Sequence, residues 1–293
     1  MPSVRRFSLG VLDLRGEDRV RFLHGMVSND IEKLAAGQGC HAAMLTTKGK
    51  LLADFVVLAE PERLRVLVDA SLVDKVRAHL DKHIIMDDVE LDAATTPALG
   101  VYGDDAAAAV ADAEELDAAA LAALPAYGFV GDVVRTPELG GVGFWLVGRD
   151  AIVDGAPLDD AEFEERRIEA GTPRYGVDMG EDRLPIEAGI NDAVSFDKGC
   201  YLGQEVIARA TNLGHINRRL VGLVLDGEPP AAGEKLSAPS KPDAGVITSS
   251  ARSRRLGKTL ALGYVHRTLW EPGTQLTVAD GRTATVAALP FAG

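Results

Sequence analysis

From Leu220 onward the sequence breaks into short β-prone runs, Leu220 to Leu225, Gly245 to Ser249, Leu260 to Val265 and Leu276 to Val278, parted by glycine, proline and charged turns. Strands this short and closely spaced find partners most simply by closing into a small all-β barrel. Asp280-Gly281 supplies a hairpin turn into a last run from Thr283 to Leu289.

The texture upstream is different. Residues 7–15 alternate apolar and polar side chains up to Gly16, and Val20, Leu23, Val27, Ile31 and Leu34 then recur at spacings of three and four, which predicts a strand followed by a helix reaching Leu34. Two β-prone runs between Ala42 and Leu58 flank Thr47-Lys48-Gly49-Lys50 and predict a hairpin. Ser71 is placed to cap a helix carrying Leu72, Val76, Leu80 and Ile84. Val89 to Leu91 and Ala98 to Tyr102 predict two strands, and an alanine- and aspartate-rich helix follows around 104–123. A second hairpin flanks Gly140-Gly141, and Asp160 opens a helix that stops at Gly171. Helices and strands are mixed without strict alternation, so the expected fold class is α+β. We expect a body of residues 1–213 and a C-terminal β-barrel of residues 214–293.

With 46% hydrophobic and 26% charged residues the chain can fill sizeable cores. Its net charge of -13 disfavours bulk nucleic-acid binding, which needs an excess of cations. No run has the length to span a bilayer and no apolar leader follows Arg5 and Arg6, so a cytoplasmic protein is expected. Cys40 and Cys200 are the two cysteines, too few for a four-thiolate metal site.

The stretch Ser195 to Glu205 is unlike any other. Gly199 and Gly203 bracket Cys200 and Tyr201, which lets the backbone turn and present a thiol, and a helix can begin at Gln204. A positive helix end and the Lys198 ammonium would favour the Cys200 thiolate; the bland alternative is a small buried cysteine in a tight turn. Downstream, Arg209, Arg218 and Arg219 are candidates for ligand carboxylates, or else line a solvated edge.

Lys198-Gly199-Cys200-Tyr201-Leu202-Gly203-Gln204-Glu205 resembles the K-G-C-[YF]-x-G-Q-E signature of the YgfZ family, relatives of the glycine cleavage T-protein, at every fixed position. The resemblance extends through Gly16-Glu17-Asp18, Phe22 to Gly25, Ser28-Asn29-Asp30, Thr46 to Asp54, Ile168-Glu169-Ala170-Gly171 and Leu184-Pro185-Ile186-Glu187. It implies a T-protein-like body that binds tetrahydrofolate or a derivative, with Glu169, and less strongly Glu187, on the pterin side and Arg209 a further folate-binding candidate. It also implies a role beside iron–sulfur client or assembly proteins, with Cys200 as the functional thiol. The rival is a folate-dependent aminomethyltransferase. In the simplest register Val76 stands where the T-protein carries its catalytic aspartate, and Asp74, two residues away, points to another helix face.

Other constellations are weaker. His79 and His83 share a helix face without a third ligand, so no metal is expected. His215 is a possible base for Cys200, Gly140 to Gly143 lacks dinucleotide-loop spacing, and Arg252, Arg254, Arg255 and Lys258 predict a solvated basic hairpin tip or a surface for an acidic partner.

Overall fold

The computed structural model describes residues 1–212 and 216–291 and divides into two compact units. The first comprises Met1–Pro137, Gly141–Leu158 and Asp192–Val206; the second comprises Glu138–Gly140, Asp159–Asn191 and Ile207–Gly293.

The chain opens with β1 (Ser3–Arg15), α1 (Arg19–Met26), β2 (Gly39–Leu45), β3 (Leu51–Ala59), β4 (Leu64–Asp69), α2 (Val73–Asp81) and β5 (Glu90–Tyr102). It continues with α3 (Ala106–Glu114), α4 (Ala118–Ala123), β6 (Phe129–Val130), β7 (Val133–Arg135), β8 (Gly143–Val147) and β9 (Ala156–Pro157). These strands form one sheet in the order β2-β3-β4-β1-β5-β8-β7-β6, antiparallel throughout, with the short β9 added in parallel to β1. Leu9, Val56, Leu58, Leu67 and Val134 form a core cluster from its strands, and Leu99, Val101, Phe144 and Leu146 form another with Val110 of α3 and Leu121 of α4.

Several elements differ from the sequence expectation. The helix expected to reach Leu34 stops at Met26, because Val27 turns extended (φ -123°, ψ 160°) and bridges Met44, while Ser28 N donates to Ala43 O at 2.9 Å. Ser71 does not cap α2: it lies in a 3-10 turn, Ala70–Leu72, capped by Asp69, which accepts from Ser71 N, and α2 follows from Leu72 with no side-chain cap. The two strands expected between Val89 and Tyr102 are one, because β5 pairs with β1 along its whole length. The alanine-rich helix is broken in two by a left-handed Glu115 (φ 55°) and the Asp117 cap of α4. The helix expected from Asp160 is capped one residue earlier, by Asp159.

The second unit holds α5 (Asp160–Ala170) and α6 (Pro185–Ala188), most of α7 (Gln204–Asn212), and β10 (Arg218–Leu225), β11 (Lys235–Ala238), β12 (Lys241–Ser253), β13 (Lys258–His266), β14 (Gln275–Val278) and β15 (Thr283–Ala287). The six strands close as β10-β13-β12-β11-β14-β15, the barrel expected from their spacing. Strand β13 is buried on both faces: Ala261 and Val265 join the cluster of Leu223, Leu236 and Ile247, while Leu260, Leu262 and Tyr264 pack with Ile168 of α5. That two-sided burial accounts for its unbroken apolar run. A buried ion pair, Arg167 to Asp178 at 2.7 Å, fastens α5, and Asp178 also accepts from Thr248 and Ser249 on β12. No described helix is long and apolar enough to cross a membrane.

Candidate functional site

The early end of α1 creates the site. A helix leaves its last carbonyls without partners and concentrates partial negative charge there. Lys198 supplies a donor there and to the carbonyls just beyond: its Nζ donates to His24 O in the last turn at 2.5 Å, and to Val27 O at 2.8 Å and Asn29 O at 2.8 Å after the helix, so all three ammonium donors are used. The side chain is buried and lies 5.1 Å from the centre of the Tyr201 ring. Burial pushes its pKa down to about 8, against the nearby charges of Asp30 and Glu32. Lys198 thus braces backbone carbonyls, where the sequence reading assigned its ammonium to favour the Cys200 thiolate.

Ser28, fully buried, is the second fastening. Its hydroxyl donates to Ala193 O at 2.6 Å and accepts from Ala43 N at 3.0 Å, and its carbonyl accepts from Ser195 N at 2.9 Å. Further along, Leu202 N donates to Gly25 O, and Gln204 N to Tyr201 O where α7 begins. The two signature glycines do different work. Gly203 sits at φ 88° and a Cβ there would lie 2.6 Å from Thr46 O in the β2–β3 turn, so only glycine fits; a Cβ at Gly199 meets nothing within 4 Å.

Between these fastenings Cys200 is exposed, as is Phe196. Neither cysteine is in a disulfide; burial pushes the Cys40 thiol up to about 12, and Cys200 is the exposed one of the two. Of the other signature residues, Tyr201 is buried, Gln204 partly buried and Glu205 exposed.

The sequence reading passed over His41 on β2. Its Nδ1 lies 3.0 Å from Asp192 Oδ2 and its Nε2 3.1 Å from Asp54 Oδ2, in the same unit as the thiol segment. The partners are 13 and 151 positions away in sequence, so no local pattern signals them.

The folate-binding candidates lie in the second unit. Glu169, near the end of α5, accepts from Ser253 Oγ at 2.5 Å and pairs with Arg255 Nε at 2.9 Å. Glu187 accepts from Leu184 N at 2.9 Å, capping its own short helix, and Arg209 is exposed on α7. The basic tip expected around Arg252 to Lys258 is solvent-exposed, and its charges are paired at the surface: Arg254 with Glu162 and Glu165, Arg255 with Glu169, and Lys258 with Asp226. In α2, Val76 is buried and Asp74 exposed. The His79 and His83 rings lie 4.7 Å apart, and no group of three metal-ligating side chains occurs among the described residues. His215 lies outside the described residues.

Two family models match. The GCVT N-terminal domain covers residues 7–135, and the glycine cleavage T-protein C-terminal barrel domain covers 218–292. An aminomethyltransferase of Rubrobacter xylanophilus is 30% identical over 275 residues, 88% of this chain and 74% of that protein. The chain belongs to the glycine cleavage T-protein family. The mitochondrial aminomethyltransferase of Gallus gallus, 28% identical, aligns over 94% of this chain and 78% of its own length. The crystal structure of glycine cleavage system aminomethyltransferase T from Bartonella henselae superposes with a TM-score of 0.86 at 22% identity, over 99% of this chain and 86% of that one. The T-protein fold is therefore common to both.

Proposed function

We propose that this chain is a tetrahydrofolate-binding T-protein relative of the YgfZ branch, whose working group is the Cys200 thiol and whose role is the assembly, maintenance or repair of iron–sulfur enzymes. One observation carries the reading. The thiol is exposed on a segment whose neighbours are held by a buried lysine on three carbonyls. A loop that only joined two elements would not need such bracing. Its sequence is the contiguous signature from Lys198 to Glu205.

The residues suit a folate. Glu169 has a carboxylate oriented by Ser253 and Arg255 with lone pairs to spare, the acceptor that pterin N–H donors require. When bound, the folate would supply a one-carbon carrier; the chain itself supplies the carboxylate that orients the ring. Arg209, exposed on α7, is the candidate cation for the ligand's own carboxylates.

A second reading, folate-dependent aminomethyl or one-carbon transfer, has the more direct support of the relatives' names. Against it stands Val76, which is buried and can neither accept a proton nor stabilise a developing cation.

Calorimetric titration of the reduced protein with tetrahydrofolate tests the ground shared by both readings. Saturable binding, weakened by about tenfold or more in Glu169→Ala through loss of a charge-assisted hydrogen bond, is expected. Absence of binding by the unaltered chain would remove folate from both.

A further inference from the structure

His41 stands between two carboxylates. A carboxylate can only accept, so both bonds exist together only when both ring nitrogens donate, and the ring is then a cation. Three titratable groups face it. Asp54 comes from β3, Asp192 from the 3-10 turn Asn191–Ala193, and Tyr127 from the loop before β6, its ring centre 5.8 Å from the imidazole and its hydroxyl 3.5 Å from Asp192. Burial works against charging the ring, which is 12% exposed, but the bonds to Asp192 and Asp54 outweigh it and raise the pKa to about 9. Asp192 in turn is held below its ordinary value, burial opposing and the His41 bond prevailing.

Asp192 is the first residue of the stretch that returns to the first unit carrying Lys198 and Cys200. At that entry point the backbone ties are neutral: Asn29 Nδ2 to Asp192 O at 2.9 Å and the Ser28 hydroxyl to Ala193 O. His41 adds charge to both ends of the tie. Asn29 Nδ2 also donates to His41 O at 2.6 Å, so the strand, the end of α1 and the returning stretch meet at this residue.

We propose that His41 is a positioning residue. As a cation bridging Asp54 and Asp192, it anchors the entry of the stretch from Asp192 to Gly203 and thereby sets how Cys200 is presented. Its value to function rests on the reading of Cys200 as the working thiol; the anchoring itself does not.

Amide hydrogen exchange of the full-length protein, normalised to intrinsic rates, tests it with His41→Gln and Asp192→Asn. Both variants should lose roughly tenfold protection across 192–203, the scale of one charge-assisted bond, while the barrel strands keep theirs. In the unaltered protein the same protection should fall as pH rises through about 9, and that step should vanish in His41→Gln. Lys198, whose pKa burial lowers to about 8, contributes with the opposite sign, since a lysine pKa lowered by folding adds stability as pH rises, and that contribution should persist in the variant. Protection unchanged in either variant, or a step near pH 9 surviving in His41→Gln, would overturn the anchor. Asp192→Asn alters a side chain that is 58% exposed, so it serves should His41→Gln fail to fold. If the exchange result holds while Cys200→Ala leaves cellular function intact, the thiol reading fails and the anchor stands.

Discussion

At Lys198 three donors meet three backbone acceptors, and that stoichiometry makes the residue hard to replace. Methionine fills similar space but leaves the carbonyls without partners, and arginine brings a planar fork where a compact ammonium is needed. Lys198→Met should therefore destabilise the protein by at least about 2 kcal/mol, read as a lowered urea midpoint with an unchanged slope, and Lys198→Arg should not restore it. A midpoint equal to the parent's would mean that the carbonyls find other partners and that the bracing is incidental. The eight-residue signature was legible because its members are contiguous and unusual in type. What Lys198 does was not, since its three acceptors lie 174, 171 and 169 positions upstream.

Among the elements, α1 is where periodicity misled most usefully. Val27 and Ile31 do face a core, as their spacing implies, but Val27 gets there as an extended residue bridged to Met44. Tertiary hydrogen bonding at Ser28 ended the helix, and no propensity scale contains that term. The strands of the barrel and the Thr46 to Lys50 hairpin were readable because turn chemistry is local. The signature loop joins this second group only in part, since its two glycines look alike in sequence and differ in space. Gly199→Ala should change stability by less than about 0.5 kcal/mol, as an open surface position does. Gly203→Ala combines a left-handed backbone with a collision against Thr46 O and should cost about 1–3 kcal/mol. Differential scanning calorimetry of the pair separates them, and equal losses would show that the loop packs otherwise.

For the molecule as a whole, the T-protein fold and the barrel were foreseeable from motifs and strand spacing, whereas the choice between thiol function and one-carbon transfer is not made by fold. Turnover makes it. A stoichiometric binder should convert no tetrahydrofolate adduct beyond one equivalent, and Cys200→Ala should abolish its cellular role while leaving folate affinity unchanged. Multiple turnovers that survive Cys200→Ala would instead establish the transferase and point the search for its acid away from Val76.

The first unit is assembled from three separate pieces of chain, the last being Asp192–Val206, and the stretch Asp159–Asn191 belonging to the other unit comes before it. On a ribosome, the sheet can pair its strands once β8 has emerged, yet the carbonyls of His24, Val27 and Asn29 must wait for a lysine synthesised about 170 residues later. Neither unit can be cut out as a continuous gene segment. The thiol takes its place only after the nascent chain has already committed residues to its second half, so the signature stretch acts as a closing stitch, and a chain stopped at residue 191 would contain the sheet without the segment from Lys198 to Glu205.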